Sequence, residues 1–272
     1  MMRCRKLLTS VVAAALFSSA EPIDLDYKAD KLDYLGYTFQ KTYDAKTSEW
    51  TLEARKDGTL VYTFGQALEP AHLSFGLVKL LRGDSKQVAV EVYSGGAHCC
   101  ANDWIVSVDP EFRVLMDTEG DVHGMNDAVD VDGDGNYEFS INTITFDYYR
   151  TPYAWSPHGS VWFMYEPQSG KFVPANDRCF DEIKKQVDLI VADLRAGSWK
   201  SDLDPDHELR REVLDVVIDY LYAGHDREAW AFFDVAYPAE DRDDVKKEVM
   251  EYVSHEPFYE ALQKPFGQRG ER

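Results

Sequence analysis

The sequence predicts an α+β protein in which an antiparallel β part precedes an all-helical part. Two observations carry this. From about residue 31 to 173 the chain is rich in aromatic and β-branched residues, broken every ten or so positions by turn residues. After Asn176 the apolar residues change to helical spacing, with charged residues between them.

The first twenty residues stand apart from both. Arg3, Arg5 and Lys6 precede an apolar run from Leu7 to Phe17 and the small residues Ser18 and Ala20. That is the anatomy of a secretory signal peptide, and the run is too short for a span of roughly 20 apolar residues. Residues 1–20 are therefore set aside, leaving 21–176 as the β-rich part and 177–272 as the helical part. The expected location is periplasmic or secreted, with no membrane insertion after cleavage.

Within the β part, Val88, Val90 and Val92 alternate with Gln87, Ala89 and Glu91. Trp104, Val106 and Val108 follow the same period, as do Phe139 and Ile141, so each strand is expected to bury one face. Lys56-Asp57-Gly58 and Gln168-Ser169-Gly170 read as hairpin turns. In the helical part, Phe180, Ile183, Val187, Ile190, Val191 and Leu194 mark a first helix ending at Gly197. A second begins near Pro205 and stops at Gly224; a third covers about 226–237, a fourth about 240–253, and a short one follows Pro257.

The formal net charge is −20, and removing the basic leader deepens it. Such a chain repels phosphate backbones, which argues against nucleic acid and for divalent cations or a basic partner. Cys99, Cys100 and Cys179 remain after the leader, an odd number in an oxidising compartment. A ring between adjacent cysteines is strained, so a bridge from Cys99 or Cys100 to Cys179 is expected.

The chemistry-bearing stretch is Asp130-Val131-Asp132-Gly133-Asp134-Gly135-Asn136-Tyr137-Glu138. Carboxylates fall at positions one, three, five and nine, with glycine at six. Calcium takes several oxygen ligands at about 2.3–2.6 Å, and a glycine turn lets alternating side chains converge. Asp130, Asp132, Asp134 and Glu138 are the side-chain candidates, and the Asn136 carbonyl a backbone one. Position twelve is Ile141 inside a strand pattern, which excludes an EF-hand. The loop resembles the DxDxDGxxD/E calcium loop between strands of FG-GAP and integrin-type propeller blades, with Glu138 in place of the usual final aspartate; the β part is too short for several complete blades, so the resemblance implies a partial propeller-like stack or a sandwich. Without an ion, DGDG would be a polar hairpin turn.

Tyr93-Ser94-Gly95-Gly96-Ala97-His98-Cys99-Cys100 resembles the SGGAHCC segment of uncharacterised exported bacterial proteins in which a DxDGDG-like loop follows; the resemblance implies architecture and no activity. Gly95 and Gly96 predict a bulge or turn after the strand ending at Tyr93. His98 is open to three roles: a metal ligand, a base for a cysteine, or a hydrogen-bonded lock of the turn. Tyr220, Gly224, Ala229, Phe233 and Ala236 keep the relative spacing of one tetratricopeptide hairpin, too few units for a solenoid.

Aromatics crowd residues 146–165; they are read first as core, with the loop 150–159 the place to seek exposure. HExxH, GxSxG and CxxC patterns are absent from the sequence. The expected function is a non-enzymatic, calcium-binding module, inhibitor-like or immunity-like, with a protein or glycan partner in the cell envelope. The rival is a secreted hydrolase using His98 or His123 with nearby carboxylates.

Overall fold

The computed structural model describes residues 20–96, 100–120, 122–197, 205–237 and 240–270. The leader, through residue 19, and His98 and Cys99 lie outside the described residues. The order is the expected one, antiparallel sheets over 31–174 and then helices over 180–262.

The chain starts with a four-stranded meander: β1 (Lys31–Tyr34), β2 (Tyr37–Asp44), β3 (Glu49–Lys56) and β4 (Thr59–Ala67). Asp57 and Gly58 connect β3 to β4 at φ 50° and 80°. That is the primed two-residue turn whose twist suits a hairpin. A larger sheet contains β5 (Leu73–Val78), β6 (Gln87–Tyr93), β7 (Ala101–Ser107), β8 (Arg113–Asp117), β9 (Val122–Met125), β10 (Phe139–Thr143), β11 (Ser160–Glu166) and β12 (Lys171–Pro174). Its order is β12-β11-β10-β9-β7-β6-β5, with β8 also beside β7.

The central strands bury both faces, where one was expected. Val88, Val90, Val92, Trp104 and Val106 share a core with Phe39, Leu52 and Phe64 of the meander. Ala89 and Ile105, pointing the other way, share a second core with Val213, Val217, Phe233 and Val249 of the helices. The alternation read from sequence missed this because Ala89 is small and passes for a neutral position, while the helices that cover it lie more than a hundred residues away.

The helices are α1 (Phe180–Ala196), α2 (Pro205–Tyr222), α3 (Asp226–Ala236), α4 (Arg242–His255) and α5 (Pro257–Leu262). Gly197 ends α1 in the left-handed region at φ 70°, its N–H donating to the carbonyls of Asp193 and Leu194. Helices α2 and α3 pair through Gly224 and contribute Leu221, Ala229 and Phe233 to the sheet-facing core. Each fully buried side chain of this size contributes about 1.5–3 kcal/mol relative to exposure.

The bridge expected between Cys99 or Cys100 and Cys179 does not form. Cys179 is a free, buried thiol preceding α1, packed with Trp162, Ile183 and Val187, and burial pushes its pKa up. Cys100 is itself disulfide-bonded. The sheet and helices are thus joined by packing and by hydrogen bonds such as those from the His158 and Ser160 amides to Asp215 and Asp219, without the covalent fastener to Cys179 that the cysteine count had indicated.

Candidate metal centre

The acidic segment is the connection between the neighbouring strands β9 and β10. Val129 and Glu138 close its base with two backbone hydrogen bonds, Val129 N–H to Glu138 O at 2.7 Å and Glu138 N–H to Val129 O at 2.9 Å. Ala128 is tied to Glu21 in the same manner. On the other flank Tyr137 N–H donates to the Leu80 carbonyl, and Arg82 N–H donates to Asn136 Oδ1 at 2.9 Å. Gly133 and Gly135 adopt φ 76° and 87°, a region that strains any residue with a Cβ. Asp130 accepts from both glycine amides, at 2.7 and 3.2 Å, so the chain winds around its carboxylate.

One oxygen each from Asp130, Asp132 and Glu138 lies within 4.8 Å of the others. Asp134 stands outside this set. Asp134 accepts from the Asn136 backbone N–H at 2.7 Å and from its side-chain amide at 2.9 Å, which turns its carboxylate along the loop. Glu138 is only 1% exposed and accepts from Val131 N–H at 2.8 Å. Burial first, then Asp132, Asp134 and Asp130, push its pKa up to about 8 against the opposing Val131 N–H. A buried carboxyl group with the oxygens of Asp130 and Asp132 beside it is an arrangement a divalent cation would relieve.

The glycine-rich segment turns as expected. β6 ends at Tyr93, Gly95 has φ 83°, and Ser94 closes the loop by donating its N–H to Cys100 O and accepting Cys100 N–H at its Oγ, both at 2.8 Å. A Cβ on Gly95 would stand 2.8 Å from the His72 ring, so this loop also lies close against the turn before β5. Gly96 N–H reaches Ser94 Oγ at 3.3 Å. The possible roles of His98 and Cys99 fall outside the described residues.

His123 groups with Asp147 and His158 and not with the loop carboxylates. Its partner is Asp147, which sequence reasoning did not single out, with Nε2 3.0 Å from Oδ1; His158 Nδ1 is 4.0 Å from the same oxygen. Strand register explains the meeting. Val122 opposes Thr143 in β9–β10 and Asn142 opposes Ser160 in β10–β11, so residues 123, 147 and 158 collect at one end of the sheet. Their 35-residue spread in sequence carries no spacing signal.

The aromatic segment is mostly core: Phe146, Tyr149, Trp162 and Phe163 are buried, Tyr153, Trp155 and Tyr165 are half-buried, and Tyr148 is exposed. Comparison of the chain with models of known families, with curated proteins and with solved structures finds no match in any of the three.

Proposed function

We propose that the protein is a calcium-binding module of the periplasm or cell exterior that acts by binding rather than by catalysis. The observation that carries this reading is Glu138: a buried carboxylate closing the base of a glycine-turned loop, with oxygens of Asp130 and Asp132 converging on it. Calcium, a hard cation that prefers oxygen donors, suits this set.

The role assigned to the ion is structural. The loop joins β9 to β10 and is tied through Asn136 and Tyr137 to the segment after β5, so an ion would fasten three stretches of the larger sheet. Binding to the folded state alone adds directly to folding stability. The partner is of the envelope protein or glycan class that an exposed aromatic of the 146–165 segment would suit, and within that segment Tyr148 is exposed.

Calcium titration by calorimetry, paired with thermal melts of the chain from residue 21 onward, tests the reading. The parent is expected to bind calcium and melt higher with it, and Asp132→Ala combined with Asp134→Ala to lose both responses. A parent indifferent to calcium makes the loop a turn and overturns the proposal.

A further inference from the structure

Beyond the acidic loop, the end of the larger sheet gathers two imidazoles and a carboxylate whose geometry is not that of a simple ion pair. We propose that His123, Asp147 and His158 form a second metal site, one that takes a zinc-class divalent ion and is separate from the calcium loop.

The donor atoms come first. His123 Nε2, Asp147 Oδ1 and one His158 ring nitrogen all lie within 4.8 Å of one another, with 3.0 and 4.0 Å measured to the shared oxygen. A tetrahedral zinc ion bonded at about 2.0–2.1 Å separates its donors by roughly 3.3 Å, so small side-chain shifts would complete the site. The two imidazole planes are nearly perpendicular, at 81° with centroids 5.2 Å apart, so the rings do not stack face to face.

His158 Nδ1 gives the second, independent observation. It is buried, it has no hydrogen-bond partner, and at 4.0 Å it is beyond hydrogen-bond reach of Asp147. A buried polar atom left without a partner is unfavourable, and a metal ion would supply the missing partner. A His–Asp hydrogen bond alone accounts for His123 and leaves His158 unexplained.

The surroundings hold the donors in place. The His158 backbone N–H donates to Asp215 Oδ1 at 2.8 Å, and the next amide but one, from Ser160, donates to Asp219 Oδ1 at 3.1 Å. Between them, Gly159 lets α2 approach: a Cβ there would stand 2.5 and 2.6 Å from Tyr222 and Ile218. Asp147 sits in a turn whose N–H bonds the Ile144 carbonyl, and the neighbouring Tyr148 N–H donates to Ser156 Oγ at 2.8 Å.

Donor chemistry chooses the ion. Calcium and magnesium want oxygens, whereas imidazole suits zinc and its neighbours in the first transition row. Three protein donors leave a fourth position for water or an outside ligand, the arrangement of open zinc sites. The Tyr153 ring, 5.9 Å from His123 and in contact with exposed Tyr148, lies at its rim.

The test uses metal-stripped native protein titrated with zinc while calcium is kept saturating, so that the acidic loop does not compete. The expected result is one zinc site per chain, weakened at least about tenfold by His123→Ala and by His158→Ala, since loss of even an outer-shell partner brings 10–100-fold. Asp132→Ala with Asp134→Ala should leave zinc affinity unchanged, which separates this proposal from the calcium reading. Zinc affinity equal in parent and histidine variants, or no zinc binding by the parent, overturns it. Should a histidine variant fail to fold, cobalt added to the parent decides: strong visible bands of a four- or five-coordinate ion are expected, and a spectrum like that of aqueous cobalt overturns the proposal.

Discussion

The acidic loop and the histidine cluster are both sets of metal-type donors, but one is written in nine consecutive residues and the other is assembled from three separated segments. Asp130, Asp132 and Glu138 converge because glycines at φ 76° and 87° wind a short chain around them. His123, Asp147 and His158 converge because two strand pairings align their ends and α2 seats the last of them. A site of the first kind depends on local conformation, and one of the second on the whole sheet-helix frame. Changes to that frame should therefore separate them.

The largest effect expected concerns the α2 carboxylate that holds the frame. Asp219 is buried, and burial pushes its pKa up to about 7 while the Ser160 N–H opposes the shift. Between about pH 4 and 7 the folded chain keeps a proton that the unfolded chain has released, so stability is lost as pH rises through this window, at about 1.4 kcal/mol per pH unit for one full proton. Asp219→Asn keeps an acceptor for Ser160 N–H and removes the charge. Urea unfolding from pH 4 to 8 should show the parent losing up to about 4 kcal/mol more than the variant; parallel profiles would mean that the buried charge is absent.

Next comes calcium itself. At a hundred times its dissociation constant it should stabilise the parent by about 2.7 kcal/mol and Asp132→Ala with Asp134→Ala by nothing measurable, read as melting shifts with and without chelator. Zinc affinity at the histidines should not follow this loss; if it did, the two regions would be one site and the comparison would collapse.

Gly159→Ala attacks the frame from the other side. Its Cβ must displace Tyr222 or Ile218, and overpacking of this kind costs about 1–3 kcal/mol. The sharper readout is selective: zinc affinity should fall, since His158 moves with Gly159, while calcium affinity at the loop stays unchanged. Equal weakening of both would show that the loop also depends on the helical layer.

This contrast explains what the sequence could disclose. Period-two alternation and the Gly197 and Gly224 stops located the strands and helices, because those signals are local. The loop was legible for the same reason, down to Glu138 at its base. The second buried face of β6 and β7 was hidden, as it rests on Ala89 meeting helices more than a hundred residues later. His123 looked isolated, and Asp147 passed as one acid among many, because their proximity exists only in the register of β9, β10 and β11.

The smallest predicted effect asks whether the seam that carries the assembled site is held without a covalent bridge. Cys179 stands where β12 gives way to α1, buried against Trp162, Ile183 and Val187, and is a free thiol. Cys179→Ala removes one buried atom from that cluster and should cost about 1 kcal/mol. A lost native bridge would instead cost about 2–5 kcal/mol. Denaturant unfolding distinguishes the two, and thiol labelling adds a kinetic check. Burial holds the pKa of Cys179 above its ordinary value, so alkylation should be slow in the folded protein and fast once it unfolds. A cost in the range of a lost bridge, or no alkylation even after unfolding without reductant, would place a covalent clamp at the seam and make the frame of the histidine cluster stiffer than packing allows.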